Sequence, residues 1–352
     1  MGKESLVRQS NIELLRIVLM LMILLLHANY FTFGAPSGSD LIERPLLSGL
    51  RIYAESLTIV AVNCFVLISG YFGLKLKLKT IYSLLFQVYF YSISIFIFFS
   101  LIGSSVFSLK LMAKAIFPFI NLWFVGSYLG LLLFSPMLNV FVENISQQKL
   151  CRYLILFYIA VFLFGYLTDV FKFFNGYSPV AFIGIYLTGR YIRLYGTDKI
   201  LNFPKLYYIA IYIVSALLCT LLFGFLFMLP VESTFIERFR TYQISYTSPF
   251  TIISSIALFM FFLKLNIQSK WINWMATSAL AVYLIHCDPN IVNHYCGIIW
   301  QMSEILSVPL FTIFLFVFVM FILIISILID KIRIFIWNKL LVLIKGYGLE
   351  VH

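Results

Sequence analysis

Four stretches of 25 or more residues without a single charge decide what this chain can fold into. They are 81–109, 115–142, 206–231 and 305–329. About 20 apolar residues in a helix cross the hydrocarbon core of a bilayer, so each stretch is long enough to span one. None shows the strict alternation of an outer-membrane barrel strand. The composition closes the alternative of a large soluble core. Hydrophobic residues make up 62% of the chain and charged ones 11%, with a mean hydropathy of +1.01. Soluble domains carry about 25% charged residues. The solvent for this much apolar surface is lipid, and the fold class is an all-α integral membrane protein.

About ten hydrophobic segments are expected, near 12–33, 52–73, 81–105, 119–142, 152–168, 178–195, 205–229, 247–265, 274–292 and 306–330. The stretch 109–118, interrupted by Lys110 and Lys114, is expected along the interface. Cytoplasmic loops carry excess Lys and Arg. With a cytoplasmic N-terminus, 17 of the 25 basic residues fall on that side, seven fall on the other, and Arg16 lies inside the first segment. The bias supports ten helices in one bundle with both termini cytoplasmic. It also explains the net charge of +11 without nucleic acid. No connector is long enough for a soluble domain, so 1–352 reads as one transmembrane unit. The first segment carries Arg16 and His27 and no small-residue cleavage site follows, so it reads as a retained helix rather than a signal peptide. Five scattered cysteines form no CxxC and no disulfide framework. Walker and dinucleotide motifs are missing, which leaves an ATP-driven pump unsupported.

The first segment is the most informative. Arg16 and His27 are 11 residues apart, which at 100° per residue leaves them about 20° from the same face and about 16 Å apart along the axis. Ionisable groups in a bilayer are costly and face the bundle interior or a wet cavity. Glu13, one turn before Arg16, is placed to pair with it. A plainer reading stays open: a snorkelling Arg16 and a hydrogen-bonded core His27.

An Arg, ten residues and a His in "ELLRIVLMLMILLLH" resemble the first helix of the membrane acyltransferase family 3, whose members O-acylate bacterial surface polysaccharides. The likeness recurs in order along the chain. It includes "VNCFVLISGYF" (62–72) with the basic "KLKLK" (75–79), "LWFVGSYLGLLLFSPMLN" (122–139), "GIYLTGRYIRLY" (184–195) and "ALAVYLIHCDP" (279–289). One departure stands out. Many members carry a Glu in the Trp-to-Pro helix, and 123–136 here has none. The chain also lacks the soluble esterase-like domain fused to some members.

The resemblance implies an O-acyltransferase, expected to be an acetyltransferase. It would take acyl-CoA, expected to be acetyl-CoA, and acylate a hydroxyl of a surface polysaccharide or its lipid-linked precursor at the bacterial cytoplasmic membrane. No permanently bound cofactor is expected. His27 would be the general base, with an acyl-His intermediate as the alternative. Arg16 would bind a donor phosphate or neutralise charge at the thioester carbonyl. His286 would orient the acceptor or His27, or simply hydrogen-bond Asp288 or a helix end. Lys75, Lys77, Lys79, Arg190 and Arg193 would hold donor phosphates, although positive-inside anchors would look the same. Glu13, Trp123 and Tyr128 are the candidate substrate-binding residues, the two aromatic ones as stacking platforms. Ser69, Gly70 and Gly73 read as close-packing small residues. No metal is expected, since His286, Cys287, His294 and Cys296 match no zinc spacing. The rival readings are a flippase of a lipid-linked sugar and a glycan polymerase or ligase.

Overall fold

The computed structural model describes residues 9–103, 109–168, 170, 173–196, 202–229 and 234–346. Lys3, Arg8, Lys172 and Lys199, which enter the charge bias, lie outside the described residues. Among the described residues the chain forms α-helices, a π-helix (Val161–Leu167) and short 3-10 turns, and contains no strand. The helices are α1 (Ser10–Phe33), α2 (Gly38–Glu43), α3 (Pro45–Thr58), α4 (Ala61–Phe72), α5 (Leu78–Leu101), α6 (Leu109–Ile116), α7 (Trp123–Glu143) and α8 (Gln147–Ala160). They continue as α9 (Pro179–Tyr195), α10 (Lys205–Met228), α11 (Thr234–Tyr242), α12 (Pro249–Leu263), α13 (Lys270–Ala276), α14 (Ala279–His286), α15 (Pro289–Ile305) and α16 (Val308–Gly346).

Seven helical stretches among the described residues are long and apolar enough to cross a membrane. The protein is therefore a multi-pass membrane protein. The other three expected segments are shorter or broken. Those at 178–195 and 247–265 become α9, of 17 residues, and α12, of 15. Both start at a proline, whose fixed φ and missing N–H suit the first helical position. The segment 274–292 is divided among α13, α14 and α15. Asp288 turns extended there (ψ 136°) and accepts from the Asn290 backbone N–H at 2.9 Å, and Pro289 opens α15. A residue before proline is driven out of the helical region, so the run bends between α14 and α15. The stretch 109–118, expected along the interface, contains α6, only eight residues long.

The long helices carry their own repairs. In α7, Pro136 cannot donate to the Leu132 carbonyl, and the Ser135 hydroxyl donates to it instead at 2.8 Å. At the junction of α3 and α4 the Thr58 hydroxyl donates to the Ala54 carbonyl at 2.7 Å, a back-bond that bends helices. The last carbonyls of α10 accept from Arg240: Leu226 at 2.6 Å, then Phe227 and Leu229. A cation there satisfies orphan acceptors and opposes the helix dipole.

Glycine sets the closest helix pair. A methyl built on Gly70 of α4 would lie 2.1 Å from the Tyr186 carbonyl oxygen of α9, and one on Gly189 would lie 2.4 Å from that of Leu67. With no lipid-driven hydrophobic force between helices, such backbone contact supplies the packing. α1 runs through the middle of the bundle. Its Asn11 amide donates to the terminal carbonyls of α12 at 3.0 and 3.3 Å, and its Leu24 carbonyl accepts from Tyr295 of α15 at 2.8 Å. α16 is clasped to α5 by a buried cluster. Arg333 grips Asp330 through both carboxylate oxygens at 2.7 and 3.0 Å, and Tyr91 donates to Asp330 at 2.7 Å.

Candidate active site

One face of α1 lines a path through the bundle. Arg16, Met20, Ile23 and His27 recur at helical spacing. Arg16 and Met20 line a cavity of about 570 Å³ at one end, with Ser69, Lys79, Gln87, Phe124 and Tyr128. Met20, Ile23 and His27 line a neck of about 20 Å³, with Phe65, Phe124, Trp123, Tyr246 and Tyr283. His27 also lines a second cavity of about 390 Å³ at the far end, with Asn29, Arg51, Glu55, Trp123, Tyr177 and Tyr246. Shared walls join the three spaces: Met20, Phe65 and Phe124 on one side, His27, Trp123 and Tyr246 on the other. The neck has room for about one water.

His27 is held by two neighbours. Its ring stacks on Phe31, with centroids 4.2 Å apart and planes 8° from parallel. Its Nδ1 lies 2.8 Å from Nε2 of the fully buried His286, whose own Nδ1 is 2.5 Å from the Val282 carbonyl. That carbonyl can only accept, so His286 Nδ1 carries a hydrogen. A neutral His286 then offers a lone pair at Nε2, and His27 Nδ1–H donates to it. The proton order leaves Nε2 of His27 with a lone pair. The chain thus builds an oriented imidazole at the neck, with a second imidazole fixing its tautomer, as an orienting group does for any catalytic histidine.

Cys287 completes a triangle. Its Sγ is 3.5 Å from His27 Nδ1 and 3.4 Å from His286 Nε2, and the three ligating atoms lie within 4.8 Å of one another. A thiolate and two imidazoles suit a soft divalent ion such as zinc. Such an ion would take the Nδ1 lone pair of His27 and move its proton to Nε2. Two of the four potential ligands noted in 286–296 belong to this set, and His27 supplies the third. His294 instead stacks on Phe99.

Of the cationic candidates, Arg16 and Lys79 line the larger cavity, and Lys75, Lys77, Arg190 and Arg193 do not. Arg16 is 37% exposed in its side chain, yet its Nε is enclosed and makes no hydrogen bond. Glu13 approaches that atom only to 3.9 Å, beyond hydrogen-bond range. Lys79 lines the cavity, while Lys75 and Lys77 are exposed just before α5. Arg190 packs against Gly73, where an added methyl would meet its Nη1 at 2.8 Å. Arg193 lies over the Tyr71 ring and donates to its hydroxyl at 3.1 Å. Trp123 and Tyr128 do not share a chamber. Tyr128 stands in the cavity of Arg16 and accepts from Ser69 at 3.4 Å, while Trp123 walls the neck and the far cavity.

Sequence reasoning missed the polar group of the far cavity. The Asn29 amide donates to Glu55 Oε2 at 2.9 Å and to the Arg51 carbonyl at 3.1 Å, and its oxygen accepts from Arg51 Nε at 3.0 Å. The signal was available: Glu55 is the one acid within the apolar segment 52–73.

No curated protein and no solved structure matches this chain. A family model described as an acyltransferase domain matches residues 9–330, nearly the whole length. With two cavities meeting at an oriented histidine, that match settles the class of chemistry against transport without reaction: the chain belongs to acyltransferase family 3 and is a membrane acyltransferase.

Proposed function

We propose that the protein transfers an acyl group, an acetyl in the simplest case, from acyl-CoA to a hydroxyl of a surface polysaccharide or its lipid-linked precursor. The observation that carries this reading is the position of His27, at the neck between a cationic chamber and a chamber walled by aromatic and polar groups. The basic end faces the cytoplasm of a bacterial inner membrane in this reading, as the bias of Lys and Arg supports. The pyrophosphate of the donor lies at Arg16, with Lys79 and the neighbouring basic residues around it. The axial separation of Arg16 and His27, about 16 Å, is comparable with the reach of an extended pantetheine arm. The thioester then arrives at the neck while the nucleotide stays in the larger cavity. Tyr128 belongs with the donor in this scheme, and Trp123 with the acceptor.

The Nε2 lone pair of His27 takes the proton of the acceptor hydroxyl as its oxygen bonds to the thioester carbonyl carbon. The carbon–sulfur bond breaks, and the CoA thiolate recovers the proton from the imidazolium. His286 accepts the Nδ1–H throughout and keeps Nε2 aimed at the reacting atoms. A second reading, attack by Nε2 itself to give an acyl-His that the acceptor then cleaves, is favoured by the narrow neck, since His27 lines both the neck and the acceptor chamber.

The test is acyl transfer by purified protein in lipid, with radiolabelled acetyl-CoA and glycan acceptors. Wild type is expected to transfer label, and His27→Ala and Arg16→Ala, matched for folding, to lose it. Full transfer by both variants sinks the assignment. Label held on the protein without acceptor selects the acyl-His route.

A further inference from the structure

The far cavity holds a polar cluster in which one carboxylate is fixed by one oxygen and leaves the other to the chamber. Asn29 spends both amide hydrogens and its oxygen on Glu55 and Arg51. Arg51 is anchored in turn: its Nη2 donates to the Gly34 carbonyl at 2.6 Å, and its guanidinium lies over the Phe33 ring at 5.2 Å. Glu55 Oε2 is fixed by Asn29, while Oε1 makes no hydrogen bond with any described residue, and the residue lines the cavity. A carboxylate held by one oxygen with the other offered to a chamber is a receptor for hydroxyl groups.

The cavity also carries an aromatic wall. Trp123, Tyr177 and Tyr246 form a compact trio, with centroids 4.3 Å apart for Trp123 and Tyr177, 5.5 Å for Trp123 and Tyr246, and 5.0 Å for the two tyrosines. An aromatic surface with a hydroxyl-seeking carboxylate in one chamber matches a sugar ring, which has apolar C–H faces and a polar rim. Arg51, tied to Glu55 through Asn29, balances its charge, so the cluster favours a neutral polyol over a cation. His27 lines the same chamber.

We infer that Glu55 is the acceptor-binding carboxylate: its free oxygen holds a hydroxyl of a neutral pyranose whose ring lies against Trp123, Tyr177 and Tyr246, presenting a neighbouring hydroxyl to His27. This rests on the acyl-transfer reading for what happens to the sugar, but not for its binding. Glu55 takes no proton in the reaction; it positions the acceptor.

The experiment has two arms on the full chain in nanodiscs. The first is saturation-transfer NMR with methyl β-D-glucopyranoside and related methyl pyranosides, in wild type and Glu55→Gln. Gln preserves the bond from Asn29 and replaces the free acceptor by a donor. Wild type is expected to bind at least one pyranoside, with monodeoxy analogues binding tenfold or more weakly when the hydroxyl facing Glu55 is removed. That discrimination is measured on wild type and does not depend on a variant folding. Glu55→Gln is expected to abolish it. The second arm is steady-state transfer: Glu55→Gln should raise the acceptor KM tenfold or more and leave the acetyl-CoA KM unchanged. Wild type that binds none of the pyranosides, or that ignores the loss of every single hydroxyl, overturns the inference. So does a variant with wild-type sugar binding and acceptor KM. Sugar binding that depends on Glu55, in a wild type that transfers no acyl group, retains the site and discards the reaction.

Discussion

Replacing His286 by Ala removes the acceptor of the His27 Nδ1–H and nothing that touches a substrate. The side chain is wholly buried, accepts at 2.8 Å and is itself anchored at 2.5 Å to the Val282 carbonyl. The variant leaves Nδ1–H of His27 without its partner and frees the ring to exchange tautomers and swing about χ2. Leaving a buried donor unsatisfied costs about 1–3 kcal/mol. If that loss falls on the reacting geometry, at about 1.4 kcal/mol per factor of ten, turnover drops about 5- to 140-fold. The acetyl-CoA KM should stay near wild type, because Arg16 and Lys79 line the other cavity. His286→Gln, whose side-chain oxygen can accept from Nδ1–H, should recover part of the loss. The assay is initial-rate acetyl transfer in nanodiscs at matched thermal unfolding midpoints. A turnover within twofold of wild type for His286→Ala, or a change confined to KM, would refute the tautomer argument.

Other expectations follow from particular contacts. Gly70→Ala forces a methyl against the Tyr186 backbone, and since backbone cannot yield as a side chain does, it should cost about 3 kcal/mol or more, read as a lowered unfolding midpoint. Asp330→Leu strands the buried Arg333 charge and should destabilise by about 3–5 kcal/mol, while the double variant with Arg333→Leu recovers most of the loss. Zinc added to the assay should inhibit by capturing His27 Nδ1, and Cys287→Ser should weaken that inhibition; equal inhibition of both proteins would show that zinc acts elsewhere.

The sequence made the face of α1 legible because helical periodicity is local: Arg16 and His27 fall in line from spacing alone, and the cavities follow that line. Pairing was not legible. His286 meets His27 across 259 positions, which no local pattern encodes, and the sequence left its role open among orienting the acceptor, orienting His27 and simply hydrogen-bonding Asp288 or a helix end. Trp123 and Tyr128 looked alike five residues apart, yet about 140° of helix rotation sends them to different chambers. Glu55 stood in plain view, but a carboxylate near the start of an apolar segment reads as an interfacial residue until Asn29 and Arg51 are seen to hold it. The expected ten spans also met a limit of composition. Apolar content does not register that Asp288 and Pro289 break a run that is hydrophobic on both sides.

In the proposed reaction the acyl group crosses from a donor chamber at the basic end to an acceptor chamber at the far end, past His27. Proteoliposomes with the protein in one defined orientation test it directly, with radiolabelled acetyl-CoA supplied to one face and a membrane-impermeant glycan acceptor to the other. Label is expected on the glycan only when acetyl-CoA meets the basic end and the glycan the far end, and none in the reverse arrangement or with His27→Ala. Equal labelling from both arrangements, or transfer only when donor and acceptor share one face, would contradict it.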